Sequence, residues 1–238
     1  MRNMFDKTIA VYQHPADDAG AVLTAPTNAA TNGDKQGRQE VLDFLVTEEQ
    51  LGVTLLTAAI KNAAGTPSEA FVPVLRNGVS TEYHHVEALE DAGGNALTTS
   101  YWFPDTVFGG GGIGLFETLE VIETIEISLY LIGVSTFARG GEEFGARLCA
   151  EAMGTEAVHR ALVRFAQGEL GKDIGGPPND VGFENFDWPT VGSVRSALEE
   201  QLGIGYGRES SQPGRFYEYP GDPLASGVGT PVSHAHPA

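Results

Sequence analysis

Two stretches of one pattern, TEYHHVEAL at Thr81–Leu89 and TEAVHRAL at Thr155–Leu162, decide how this chain is read. Each sets a Glu three residues before a His: Glu82 and His85 in the first, Glu156 and His159 in the second, at an offset of 74 residues. The same offset takes Glu49 to Glu123, so each half of the chain reads Glu, then Glu 33 residues on, then His three further. Residues three apart on a helix share a face and can converge on one point. His84 is turned about 100° from His85 on such a helix and cannot join the same cluster.

The surrounding periodicity supports helices at all four places. Apolar residues Leu42, Leu45, Val53, Leu56 and Ile60 recur at three- and four-residue steps, which predicts a first helix over 36–64. Thr66-Pro67-Ser68-Glu69 reads as a capping box opening a second helix that runs to about Ala92, with Pro73 imposing a kink or a late start. A segment without helical period, residues 93–114, reads as a long connection. Third and fourth helices are expected over 115–139 and 142–170, broken at Gly140-Gly141. Residues 1–36 read as a flexible arm, 37–171 as an all-α four-helix bundle with one long crossover, and 172–238 as an extension with a short helix over 191–202 and an extended polar tail.

Within these helices the stripe Leu75, Val79, Glu82, Val86 and Leu89 includes His85, and the stripe Cys149, Ala152, Glu156, His159 and Val163 includes both polar residues of the echo. Glu49 falls among Leu45, Val53 and Leu56, and Glu123 between Leu119 and Tyr130. Four carboxylates and two imidazoles are therefore expected in one interior. Burying four uncompensated carboxylates costs several kcal/mol each. Two divalent cations would neutralise them. One Glu from each of two helices plus Glu-x-x-His from each of the other two is the ligand set of di-iron and di-manganese sites in helical bundles. Oxygen-rich ligation with one imidazole per metal suits iron first, then manganese. The alternative is a set of solvated helix faces with no common purpose.

Composition narrows the partners. With 14 basic against 32 acidic residues the formal net charge is -18, which argues against nucleic acid and against anionic membrane surfaces. Metal ions, dioxygen or peroxide, and further copies of the chain are the partners expected instead. A single cysteine, Cys149, cannot form an internal disulfide and reads as a small buried hydrophobe. The N-terminal stretch lacks a signal-like apolar region and no 18-residue apolar run is evident, so a soluble cytoplasmic protein is expected. Gly109 to Gly114 satisfies G-x-G-x-x-G but lacks the strand and βαβ frame of a dinucleotide site. His234-Ala235-His236 reads as part of a disordered tail, and Glu48 and Glu120 as solvent-facing.

The motifs FLVTEEQLGVTLL, TEYHHVEAL, LEVIETIEISLYLIG and TEAVHRAL, across roughly 38–170, resemble the ferritin-like superfamily, and more narrowly the bacterial ferritin-like proteins grouped with rubrerythrins and desiccation-related proteins. The resemblance implies a dinuclear iron or manganese centre reacting with dioxygen or peroxide, or else a non-catalytic stress protein in which metal is structural or absent. It makes Glu49 and Glu123 terminal carboxylates, Glu82 and Glu156 bridges, and His85 and His159 terminal imidazoles. Tyr130 matches the family's Glu-x6-Tyr spacing and reads first as a hydrogen-bond partner of a ligand, with an electron donor or a core tyrosine as the alternatives. Its repeat mate is Leu56, where the family often has a second Tyr. Gly52 stands where relatives often carry an extra Glu, and Glu126, one turn beyond Glu123, is a further candidate ligand.

Overall fold

A computed structural model describes residues 32–109 and 112–237. Among them five α-helices and a small three-stranded sheet account for the regular structure. The first helix, α1 (Asn32–Asn62), is buried on nearly every side from Phe44 to Ala59, because α2 and α3 lie along it and the sheet closes its remaining face. Two of its buried threonines are satisfied within that apolar setting: Thr47 donates to the Asp43 carbonyl at 2.6 Å and Thr54 to the Gln50 carbonyl at 2.6 Å, whereas the Thr57 hydroxyl has no hydrogen-bond partner.

A 3-10 turn over Pro67–Phe71 leads into α2 (Val72–Asp91). Pro73 lies in the first turn of α2, where a missing N–H costs no helical hydrogen bond, so the proline sets a late start and no kink. The capping box does not form as the motif suggests. Thr66 Oγ1 donates backward to the Ala63 carbonyl, and Glu69 accepts from the Gly65 N–H.

Helices α3 (Ile113–Arg139) and α4 (Glu143–Glu169) make the most extensive helix pair, joined at Gly140-Gly141, where Gly141 adopts the left-handed φ of 72°. Close packing of this pair relies on Gly133, whose Cβ, if present, would stand 2.6 Å from Cys149 Sγ. By length and composition α3 is apolar enough to cross a membrane, with a mean hydropathy of 1.5 over an 18-residue window, against the expectation that no such run exists. That window is 61% buried by the rest of the chain.

The connection between α2 and α3 is not structureless. It carries β1 (Ser100–Pro104), which pairs antiparallel with β2 (Gly205–Tyr206) and β3 (Gly214–Glu218) in the order β2-β1-β3. Tyr101 faces Tyr206 and Tyr217 in register, and its hydroxyl donates to the Thr47 carbonyl on α1 at 2.9 Å. The C-terminal extension, expected to be an extended polar tail, thus folds back onto the crossover. It first forms α5 (Val191–Ala197), with a capping box at Thr190 and Ser193, and a π-type turn over Leu198–Leu202. Further on, the Arg76 guanidinium donates to the carbonyls of Gly227 and Gly229, which straps residues 227–230 to α2. The arm expected over 1–36 falls outside the described residues, except that Asn32 to Gln36 are already helical. Gly110 and Gly111 of the glycine run are also outside them, and β1, antiparallel to both its neighbours, provides no βαβ frame for that run.

Candidate metal centre

All six residues marked by the repeat meet in the interior. Glu49, Glu82, His85 and Glu156 form one group and Glu82, Glu123, Glu156 and His159 a second, the ligand atoms within each lying inside 4.8 Å of one another. The six residues belong to four helices: Glu49 on α1, Glu82 and His85 on α2, Glu123 on α3, Glu156 and His159 on α4. Glu82 and Glu156 belong to both groups.

Both imidazoles turn Nδ1 toward the carboxylates. His85 Nδ1 lies 2.8 Å from Glu156 Oε1 and 3.3 Å from Glu49 Oε2. His159 Nδ1 lies 2.9 Å from Glu82 Oε1, 2.9 Å from Glu156 Oε2 and 3.7 Å from Glu123 Oε2. One N–H cannot be donated to three carboxylates at once. A cation among the same four atoms would be met by all of them. Glu82 Oε2, Glu123 Oε2 and Glu126 Oε1 are buried without a hydrogen-bond partner, which a protein rarely tolerates unless something else satisfies them. The donor set, carboxylate oxygens with one imidazole per group, is one that could hold a hard or borderline divalent ion in either group.

Electrostatics give the same picture. Burial, followed by repulsion from neighbouring carboxylates, pushes the Glu126 carboxyl well above its ordinary range. Burial does the same to Glu49 and Glu123, against the opposing pull of His85 and His159 respectively. For the two histidines burial disfavours the charged form, yet the surrounding carboxylates outweigh it, led by Glu49 at His85 and Glu156 at His159, and hold both rings protonated well above the usual imidazole range. At Glu156 burial is likewise outweighed, here by the two imidazoles, which hold it ionised below the usual carboxylate range. Protons thus take the place of positive charge in this cluster.

Around the ligands, Tyr130 is fully buried and its hydroxyl donates to Glu49 Oε1, so the hydrogen-bonding role is the one its geometry serves. Glu126 is buried beside the centre but outside both four-atom groups. Gly52, 74 residues before it, lies close against Glu82: a Cβ there would stand 3.0 Å from Glu82 Oε2, so a side chain would have to displace that carboxylate. His84 is excluded as expected, its Nδ1 paired with Glu87 at 2.8 Å.

Three expectations fail. Glu48 does not face solvent. It is fully buried, accepts a hydrogen bond from the Tyr206 hydroxyl at 2.9 Å, and burial lifts its carboxyl to about 8 despite that bond and the nearby Arg195. No local pattern marks it, because its partner lies 158 residues away. Glu120 is half-buried, accepting from Gln167 Nε2 at 2.7 Å and facing Arg164. The tail histidines are not detached from the core: residues 232–237 border a groove lined by α2 and α4, and the His236 ring lies 6.2 Å from that of His84.

No family model matches the chain, and neither curated proteins nor solved structures include a match to it.

Proposed function

We propose that the chain is a dinuclear iron or manganese carboxylate protein of the ferritin-like four-helix type, acting in redox chemistry with dioxygen or peroxide. The observation that carries this reading is the sharing of Glu82 and Glu156 between two ligand groups, each completed by its own Glu and His. Glu49 and His85 would hold one ion, Glu123 and His159 the other, with Glu82 and Glu156 between them. When bound, such a pair would supply one-electron redox steps and a Lewis-acidic place for a small oxidant.

The chain's own residues prepare that site in three ways. Tyr130 fixes the rotamer of Glu49 through its hydroxyl. Burial of Glu49, Glu82, Glu123 and Glu156 makes charge–charge interactions there stronger than in solvent. The two histidines release their protons as cations arrive.

Elemental analysis of the purified protein tests the claim first, with two iron or manganese ions per chain expected. Anaerobic Fe(II) loading followed by air then tests the chemistry. Oxygen uptake with rising Fe(III) absorption is expected, whereas bound metal with no oxygen uptake would assign it a structural role.

A further inference from the structure

The two ends of the centre are approached through unlike spaces. On the His85 side lies a broad groove of about 810 Å³ that includes Thr81, His84, Glu151 and Thr155 and is bordered by residues 232–237. On the His159 side a much smaller cavity of about 120 Å³ ends on Glu82, Glu123 and His159. Apart from those three ligands and Asn77, every side chain that lines it is apolar, drawn from all four long helices and the 3-10 turn before α2.

The asymmetry traces to a break in the internal repeat. In one half Tyr130 fills the space beside Glu49 and donates a hydrogen bond to it. In the other half the corresponding position is Leu56, which lines the cavity and offers no hydroxyl, and Glu123 Oε2 is left without a hydrogen-bond partner. Gly78 adds to the space: a Cβ there would meet nothing closer than Leu56 Cδ1 at 3.6 Å. Val74, Leu162 and Phe165, which also line the cavity, remain 42%, 39% and 50% exposed, an apolar group at the surface of the kind that marks a ligand's approach.

We propose that this cavity binds a small uncharged apolar molecule, of the size of benzene or a short hydrocarbon chain, against the Glu82–Glu123–His159 end of the centre. The position of the ligand beside a metal rests on the dinuclear reading above. A hydrated cation or an anion would shed water here and find, apart from Asn77, only apolar walls until it reached the ligands themselves. An apolar molecule loses nothing by leaving water, and an apolar cavity of roughly 150 Å³ in another protein accepts benzene. Dioxygen alone would leave most of the space unfilled. The walls therefore select by polarity, and the volume admits a ligand larger than a diatomic gas.

The test uses benzene as the probe and benzoate as its charged counterpart, titrated calorimetrically into the metal-free full chain. Benzene is expected to bind at least tenfold more tightly than benzoate. Gly78→Leu, which projects a side chain into the cavity, should weaken benzene at least tenfold. Val74→Trp, at an exposed position that does not threaten folding, should weaken it in the same direction. Equal affinity for the two probes, or benzene binding untouched by both substitutions, would overturn the proposal. Proximity to the centre is read separately: protein loaded with Mn(II) should speed the proton relaxation of bound benzene relative to protein loaded with Zn(II), and equal relaxation would overturn the placement. A chain that binds benzene but takes up neither iron nor manganese would remove the metal reading, and with it the ligand's stated position, while the cavity's selectivity stood.

Discussion

Adjacent residues on a buried helix meet opposite environments, and two such pairs carry separate tests. His84 and His85 are neighbours in sequence, but only His85 points at Glu49 and Glu156, while His84 pairs with Glu87. Glu82→Ala and His85→Ala proteins are therefore expected to lose bound metal as measured by elemental analysis, and His84→Ala to keep it. Equal loss from all three would defeat the assignment of faces. Glu49 and Glu48 are the second pair. The helical period made Glu49 legible as inward-facing, and the same period turned Glu48 away toward what sequence alone presented as solvent. In the fold that opposite face is covered by Tyr206 and by α5, elements far along the chain, so no local pattern could have revealed its burial. Glu48 has a folded-state carboxyl raised to about 8 by burial. A group raised in this way contributes stability fully below its unfolded value and loses it as pH rises through the folded one. Glu48→Gln keeps an acceptor for Tyr206 and removes the ionisation. Its melting temperature should match the parent near pH 5 and exceed it near pH 8, by an amount corresponding to on the order of a few kcal/mol. A variant no more stable at the higher pH would show that Glu48 does not titrate as a buried acid. Cys149 gives a simpler case: burial lifts its thiol to about 12, so alkylating reagents at pH 8 should label it only after denaturation.

At the scale of elements, the four long helices were legible because each carries a sustained 3.6-residue period, and their ends were found to within a few residues. The sheet was not. β1 is five residues long and its partners lie more than 100 positions away, so nothing near Tyr101-Trp102-Phe103 announces the pairing. Turn signals at Gly93 and Gly109 suggested only a connection. Contacts between helices were equally silent in sequence, and Gly133 shows why: a glycine within an apolar helix reads as a weak point until its neighbour is known. In the fold it lets α3 lie against Cys149 on α4. Gly133→Ala would place a methyl 2.6 Å from Cys149 Sγ, an overlap that forces the helices apart or the thiol into another rotamer. Overpacking of this kind typically costs about 1–3 kcal/mol. Denaturant unfolding should register that loss, and the Cys149→Ala background should recover much of it by removing the sulfur. Independent, additive losses from the two substitutions would mean that this contact does not set the α3–α4 distance.

For the whole molecule, the question is how a chain of net charge -18 keeps several of its carboxylates in its core. Without metal the answer is protons. Glu49, Glu123 and Glu126 hold theirs above the ordinary carboxyl range, and His85 and His159 hold theirs above the ordinary imidazole range. All five are raised relative to the unfolded chain, so each contributes stability at low pH that is lost as pH rises through its folded value. Glu156, held below the ordinary range, acts in the opposite sense and only in acid. The metal-free protein should therefore melt at progressively lower temperature from about pH 5 to about pH 9. Under the proposed reading, metal would reverse that slope, because each ligand must give up its proton before it can coordinate and loading becomes more favourable as pH rises. Free metal at about 100 times its dissociation constant adds roughly 2.7 kcal/mol at a single site. Calorimetric melts with and without Mn(II) or Fe(II), repeated across this pH range, should thus diverge as pH increases, and loading in weak buffer should release protons. A metal-induced rise in melting temperature that is the same at every pH would place the ions somewhere other than among these carboxylates and imidazoles.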